Sequence, residues 1–326
     1  MNIGGLTPKA GEKAFGRLSP RQSHGRFDVA VPLHVLRGVT AGPTLVVQAG
    51  LSGLEIEPAM VLPRIVAEID LAKLRGTLVV VPLFNTTGFE FEQIESVWDG
   101  KDLHALGRGS ANGTVSEELL HAYYEQVVAG ADALLDVRTG AQWGYYRYAG
   151  VYRTSSQSAS VALAAALDLP QVLIGEPADG GLAAAAAADG KSVVSAWIGG
   201  GPGIRDHREE DMARIRRAVF NALRHLGMLA GAPERGDGPK ATIIDAHSVL
   251  RPTGERGFTF MDKAKRGTKV AAGERIGIVR HPFTGNVIQE ITAPRAGVVL
   301  HAGASWPVVP EGFTLAILGD VVSDHC

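Results

Sequence analysis

A chain of 326 residues with 45% apolar and 20% charged residues and a formal net charge of −2 has the composition of an ordinary folded globular protein. Near-neutral charge with scattered basic residues excludes an electrostatic footprint for nucleic acid or an anionic membrane, and no apolar run approaches the roughly 20 residues that a membrane-spanning helix needs. The single cysteine, Cys326, rules out an intrachain disulfide and a cysteine-rich metal site. The segment up to Arg26 has no apolar signal core, so a cytoplasmic location is expected.

In chain order, residues 1–25 read as a loose arm. Asp28 to Leu36 alternates like an edge strand, with Pro32 favouring the edge position. Gly38 to Pro43 is a turn and Thr44 to Gln48 a short buried strand. Glu57 to Leu74 carries apolar residues at helical spacing (Met60, Val61, Ile65, Val66, Ile69) and is expected to stop before Gly76. Thr77 to Leu83 is a continuous apolar run, as in a strand buried on both faces of a parallel sheet. Helices over Glu117–Ala129, Ser158–Leu167, Gly181–Ala188 and Glu209–Leu229 then alternate with strands over Ala131–Val137, Gln171–Ile174 and Ser192–Ile198. That alternation predicts a mainly parallel, doubly wound α/β sheet over residues 26–231.

After the turn-rich stretch Gly231 to Pro239 the pattern changes to short β-type runs punctuated by glycine, such as Ile276 to Val279, Gly297 to Leu300 and Leu315 to Leu318. A small all-β domain over residues 240–322 is expected.

Three stretches carry a family resemblance. Ala49-Gly50-Leu51-Ser52-Gly53-Leu54-Glu55 follows the first buried strand, Asp136-Val137-Arg138-Thr139-Gly140 closes another, and Asn85 to Gly109 lies between them. Together they resemble the succinylglutamate desuccinylase/aspartoacylase family of zinc amidohydrolases, relatives of the zinc carboxypeptidases. The corresponding family phrases are Gly-Gly-x-His-Gly-Asp-Glu, Asp-Leu-His-Thr-Gly, and Asn-Pro-Pro-Ala-Phe followed by Asp-Gly-x-Asn-Leu-Asn-Arg. The resemblance covers most of residues 28–320. It implies a carboxypeptidase-like α/β domain and, from Ala293 to Val299, a C-terminal barrel-sandwich hybrid. Lipoyl carriers share that last architecture but present a lysine, and none occurs between Arg280 and Cys326.

The same resemblance implies that the chemistry has been stripped out. At the family's three metal positions stand Ser52, Glu55 and Arg138. Serine is a poor zinc ligand and arginine offers no lone pair, so a zinc site needing two imidazoles and a carboxylate is not expected. Trp197 stands where the family places its general-base glutamate, and an indole cannot shuttle a proton. Glu176 is a less favoured alternative base. The substrate-clamp positions carry Ile94, His104 and Ala105, while Asp99, Gly100, Leu103 and Gly109 match the loop frame. No catalytic residue and no cofactor are therefore expected. Arg138 is expected to lie at the lost metal's position and to donate a charge-assisted hydrogen bond to Glu55, with Trp197 covering the pair.

Plainer readings stand beside these. Glu55 also reads as a helix-start carboxylate favoured by the dipole, and His104 as a loop-surface histidine. Ser52, His104 and Glu55 make a weaker candidate for a serine-type site, lacking a nucleophile elbow. Tyr145 to Tyr148 reads as a half-buried strand in which Arg147 faces away from Tyr146 and Tyr148. Three functional expectations follow: a zinc-less pseudoenzyme serving as a non-catalytic or regulatory subunit of an active N-acyl amino acid amidohydrolase; an altered deacylase; or a small-anion binder using Arg138 and Arg147 in the former cleft. The expected partners are a second copy or a zinc-competent homologue, and neither nucleic acid nor membrane.

Overall fold

The computed structural model describes residues 2–20, 29–141, 144–175, 180–200, 208–236, 241–251, 253, 257–262, 265–302 and 315–323. Glu176 and Asp28 lie outside these residues.

The chain begins with β1 (Lys13–Leu18), β2 (Val31–Arg37), β3 (Thr40–Ala49), α1 (Ile56–Glu68), β4 (Arg75–Val81) and the short α2 (Thr86–Glu90). It continues through α3 (Val115–Tyr123), which runs into a π turn at Tyr124–Val128, then β5 (Ala133–Arg138), β6 (Tyr146–Val151) and α4 (Gln157–Ala166). Next come β7 (Gln171–Ile174), α5 (Leu182–Ala188), β8 (Ser192–Gly199) and α6 (Glu209–His225). The remainder is β: β9 (Thr242–Leu250), β10 (Phe258–Met261), β11 (Lys269–Val270), β12 (Arg275–Arg280), β13 (Val287–Thr292), β14 (Gly297–Ala302) and β15 (Ala316–Ser323).

Twelve strands form one sheet in the order β1-β2-β4-β3-β5-β8-β6-β7-β9-β15-β14-β11, and β10-β12-β13 form a second, antiparallel sheet. The centre of the large sheet is parallel: β4 with β3, β3 with β5, β5 with β8, β6 with β7, and β7 with β9. Period-2 alternation divides its two faces. Leu45, Val47, Leu135, Val137, Val194 and Ala196 pack with Ile65 of α1, Leu163 of α4 and Ile215 of α6. Val46, Leu134 and Val193 point the other way, toward Leu120 and Tyr123 of α3 and Ala186 of α5. With both faces covered, the strands can be apolar throughout, as the runs in the sequence indicate.

Several expectations are corrected, among them the turn over Gly38 to Pro43, where β3 already begins at Thr40. The N-terminal arm is not loose throughout: Lys13–Leu18 pairs antiparallel with β2, which is therefore internal, and β1 is the edge. Pro32 is tolerated because the β2–β4 ladder begins only at His34. The first long helix ends at Glu68, well before Gly76. Ile69 turns extended, and the Asp70 carboxylate accepts from the Ala72 N–H to hold a separate turn. The segment after the linker builds its own core around Ile276, Val279, Ile291, Val299 and Leu318. Its first strand, β9, nevertheless lies beside β7 and continues the α/β sheet without a break.

The seam between the two parts is aromatic. His301 of β14 is fully buried and stacks on Tyr146 of β6 with ring centroids 4.2 Å apart. Burial, with the Arg266 charge beside it, pushes the imidazole pKa down to about 3. The unfolded chain takes up this proton near the ordinary value of about 6.5, so the unfolded state binds more protons between these values. Stability contributed by neutral His301 is thus present above pH 6.5 and lost progressively as pH falls toward 3. His301→Phe, which keeps the stack, should flatten this acid limb in urea unfolding measured across pH. An unchanged limb would show that other groups set it.

Candidate functional site

The site forms at the carboxyl ends of β3, β5 and β8, where an open parallel sheet presents its loops. The turn after β3 passes so close to α2 that a Cβ on Gly53 would sit 2.0 Å from the Gly88 carbonyl carbon, so only glycine fits there. That turn delivers Glu55 to the N-cap position of α1, with 3% of its surface exposed. Its carboxylate does not cap the helix. One oxygen accepts from the Ser52 N–H at 3.3 Å and the other from the Thr139 N–H at 3.4 Å.

Arg138 is the last residue of β5, beside Trp197 on β8 in the parallel register. Its Nε lies 3.6 Å from Glu55 Oε1, an ion pair beyond good hydrogen-bond length. The close hydrogen bond goes elsewhere: a terminal guanidinium nitrogen is 2.7 Å from His104 Nδ1. The guanidinium carbon also lies 4.1 Å over the centre of the Trp197 ring, a cation–π contact. Thus Arg138 does approach Glu55 under Trp197, but its short polar bond is to a histidine expected to be peripheral.

His104 is a correction to the surface reading. It sits in a one-turn 3-10 helix, Leu103–Ala105, whose entry is held by Asp102 accepting from the His104 N–H. Its side chain is only 18% exposed, and Nε2 lies 3.5 Å from Glu55 Oε2. An arginine can only donate, so Nδ1 must accept and the ring proton resides on Nε2, facing Glu55. Both ring nitrogens are thereby committed. The Ser52 hydroxyl accepts from the Leu54 N–H instead. That leaves no base for Ser52 and argues against a serine-type triad.

Other sequence-selected positions divide cleanly. Asp99 holds the loop by accepting from both the Ser116 N–H and its hydroxyl, and Leu103 is buried, consistent with a retained loop frame. Ile94 contributes its backbone carbonyl to the Asn85 amide, and Ala105 is exposed. Arg147 does not join Arg138: it sits on the other face of the sheet and pairs with Glu210 at 3.0 Å and Asp211 at 3.5 Å on α6. Missed by sequence reading was the layer beneath. Asp136, on the same side as Arg138, accepts from the Gln48 amide, which accepts from the Tyr123 hydroxyl. The i, i+2 spacing of Asp136 and Arg138 was the available signal.

Charge is distributed unevenly here. Burial opposes ionisation of Glu55, yet His104 and Arg138 beside it bring its pKa below the ordinary value. Burial dominates at Asp136 and pushes its carboxyl up, with Arg138 offsetting only part. His104 thus does more than Arg138 to hold Glu55 down, and Arg138 is the leading charge opposing burial at Asp136.

Zinc does not fit this side-chain set. Ser52 Oγ already accepts a backbone proton, Arg138 has no lone pair to give, and among the described residues no three His, Cys, Asp or Glu side chains gather as a metal would require.

The fold and the arrangement of these loops define the class: a carboxypeptidase-like α/β protein with an appended β region. Residues 41–226 match the family described as succinylglutamate desuccinylase/aspartoacylase catalytic domain. The chain belongs to that family. It is 24% identical over 303 residues to the N-alpha-acetyl-L-2,4-diaminobutyric acid deacetylase of Halomonas elongata, covering 90% of this chain and 86% of the relative. Among solved structures it is similar to a succinylglutamate desuccinylase/aspartoacylase from Rhodobacter sphaeroides, with TM-score 0.84, 19% identity, and 98% and 100% of the two chains covered. The product-bound ectoine utilization protein EutE (DoeB) from Ruegeria pomeroyi gives TM-score 0.83 and 24% identity, covering 96% and 97%. Among the described residues no helix is long and apolar enough to cross a membrane.

Three substitutions test this arrangement. Arg138→Met should destabilise the fold by roughly 3–5 kcal/mol, because it leaves buried Glu55 uncompensated. Adding Glu55→Gln should recover part of the loss, as read by a double-mutant cycle in urea. Gly140→Ala places a Cβ 1.8 Å from the Gly144 carbonyl oxygen. It should cost about 1–3 kcal/mol by overpacking, visible as a lower Tm.

Proposed function

We propose that this chain is a zinc-independent, non-hydrolysing member of its family, acting as a non-catalytic or regulatory subunit of an active N-acyl amino acid amidohydrolase. The observation that carries the reading is the Arg138 guanidinium set among Glu55, His104 and Trp197. A fixed monocation on the carboxylate supplies the charge balance that a buried acid needs. Unlike a metal ion, it has no open coordination position for water and cannot generate hydroxide at neutral pH. Trp197 adds no proton acceptor.

The same geometry weighs against the two rival readings. A metal-free deacylase needs a nucleophile or base with a free lone pair, and His104 has both nitrogens engaged. An anion clamp built from Arg138 and Arg147 fails because the two side chains lie on opposite faces of the sheet.

The likeness to a deacetylase over most of both chains supports an N-acylated amino acid as the substrate of the active partner. The scaffold is complete while its chemistry is not, which favours selection for contact surfaces. A specific interface with that partner, or with a second copy, should bury at least roughly 1,000 Å².

Purified protein should contain no stoichiometric zinc by elemental analysis and should leave N-acetyl-2,4-diaminobutyrate, N-acetylaspartate and N-succinylglutamate intact. Light scattering should report an oligomer, or co-purification should capture a zinc-competent homologue. Chelator-sensitive turnover with about one zinc per chain would overturn the non-hydrolysing reading. A monomer that captures no homologue would overturn the subunit role.

A further inference from the structure

Arg147, excluded from the former cleft, borders a different space. A cavity of about 520 Å³ lies at the seam between the α/β part and the β part, within the size range of small-molecule sites. Arg147, Arg266 and Lys269 line it and, among the described residues, no carboxylate does, while Ile244, Val298 and Leu300 supply apolar lining. It is separate from the Glu55–His104–Arg138 cluster, none of whose residues line it.

The cations are held in place by the fold. Gly267 donates to the Val299 carbonyl and Val299 donates back to Thr268, which clamps the turn carrying Arg266 against β14. Arg266 Nε donates to the Ala302 carbonyl, fixing the root of the guanidinium. The Tyr145 ring meets two guanidinium groups, Arg147 at 4.8 Å and Arg208 at 4.5 Å from its centre.

Local acids do not balance this charge. Glu210 and Asp211 pair with Arg147, but Arg214 also binds both, at 2.9 and 3.1 Å. Asp211 additionally accepts from the Tyr145 hydroxyl at 2.8 Å. Arg266 has no carboxylate partner among the described residues, and Arg147 Nε and one terminal nitrogen of Arg266 are buried N–H donors with no hydrogen-bond acceptor. Such donors are costly unless something compensates them. A cavity lined by under-compensated cationic groups and by branched aliphatic side chains matches an anion with an apolar body.

We propose that this seam cavity is a binding site for a small organic carboxylate, its carboxylate held by Arg266 and Lys269 and its apolar body against Ile244, Val298 and Leu300. The site is independent of the catalytic question and would bind in a chain that hydrolyses nothing. Because its walls come from β7 and β9 on one side and from β14 and the Arg266 turn on the other, occupancy stiffens the junction of the two parts.

The test uses the whole chain with methyl-labelled Ile, Leu and Val and three probes: benzoate, its neutral isostere benzamide, and inorganic phosphate. Benzoate should produce saturable methyl shifts at Ile244, Val298 and Leu300, with benzamide and phosphate at least tenfold weaker, about 1.4 kcal/mol each. Arg266→Met and the solvent-exposed Lys269→Met should each weaken benzoate at least several-fold. Lys269→Met keeps the test decisive if the Arg266 variant does not fold. Absence of saturable shifts at these methyls overturns the proposal, as does equal binding of benzamide, equal binding of phosphate, or indifference to both substitutions.

Discussion

A buried guanidinium at the end of a parallel strand organises this protein's centre. Arg138 emerges from β5 where its neighbours' loops converge, and it is only 8% exposed at the side chain. A cation in that position has to be met by groups from several elements, because no single one can satisfy it. Glu55 arrives from the β3–α1 turn, His104 from the loop before α3, and Trp197 from β8. The tight packing of Gly53 on Gly88 and of Gly140 on Gly144 follows from the same need to bring those loops close. Charge pairing, a 2.7 Å hydrogen bond and an indole face bring those loops together.

Beneath the cluster the polar chain Asp136–Gln48–Tyr123 crosses from β5 through β3 to α3. Every link is buried, so each donor must find its acceptor inside the fold. Asp136 Oδ2 lies 4.0 Å from Arg138 Nε, so this layer adjoins the cluster. The arrangement is directional: the face toward α3 and α5 carries these polar residues, while the face toward α1, α4 and α6 is apolar at its centre and ionic only where Arg147 meets Glu210 and Asp211.

The continuous sheet has a second consequence. Since β9 extends the α/β sheet beside β7, the β part cannot hinge freely about the linker as a domain joined by chain alone would. The His301–Tyr146 stack continues into Tyr148 and Trp197 through ring contacts of 5.1–6.0 Å. The aromatic seam therefore touches the cover of the Arg138 cluster, linking the two regions by packed side chains.

Much of this was legible in the amino-acid sequence. Continuous apolar runs such as Thr77–Val81 and the strand–helix alternation determine a doubly wound parallel sheet, because only strands covered on both faces can be apolar throughout. Ser52 and Arg138 exclude imidazole-type zinc ligation by their chemistry, whatever the surrounding geometry. The pairing of Lys13–Leu18 was not legible, since a short, half-exposed strand has little pattern of its own and depends on finding β2. Nor was the role of His104, a loop residue 34 positions from Arg138 whose ring lies against it only because the Asp99-held loop folds over the strand ends. Residue identity thus decided which side chains stand at the strand ends. Tertiary structure alone decided how they pair, because partners for a buried charge are chosen by proximity between distant segments and not by local pattern.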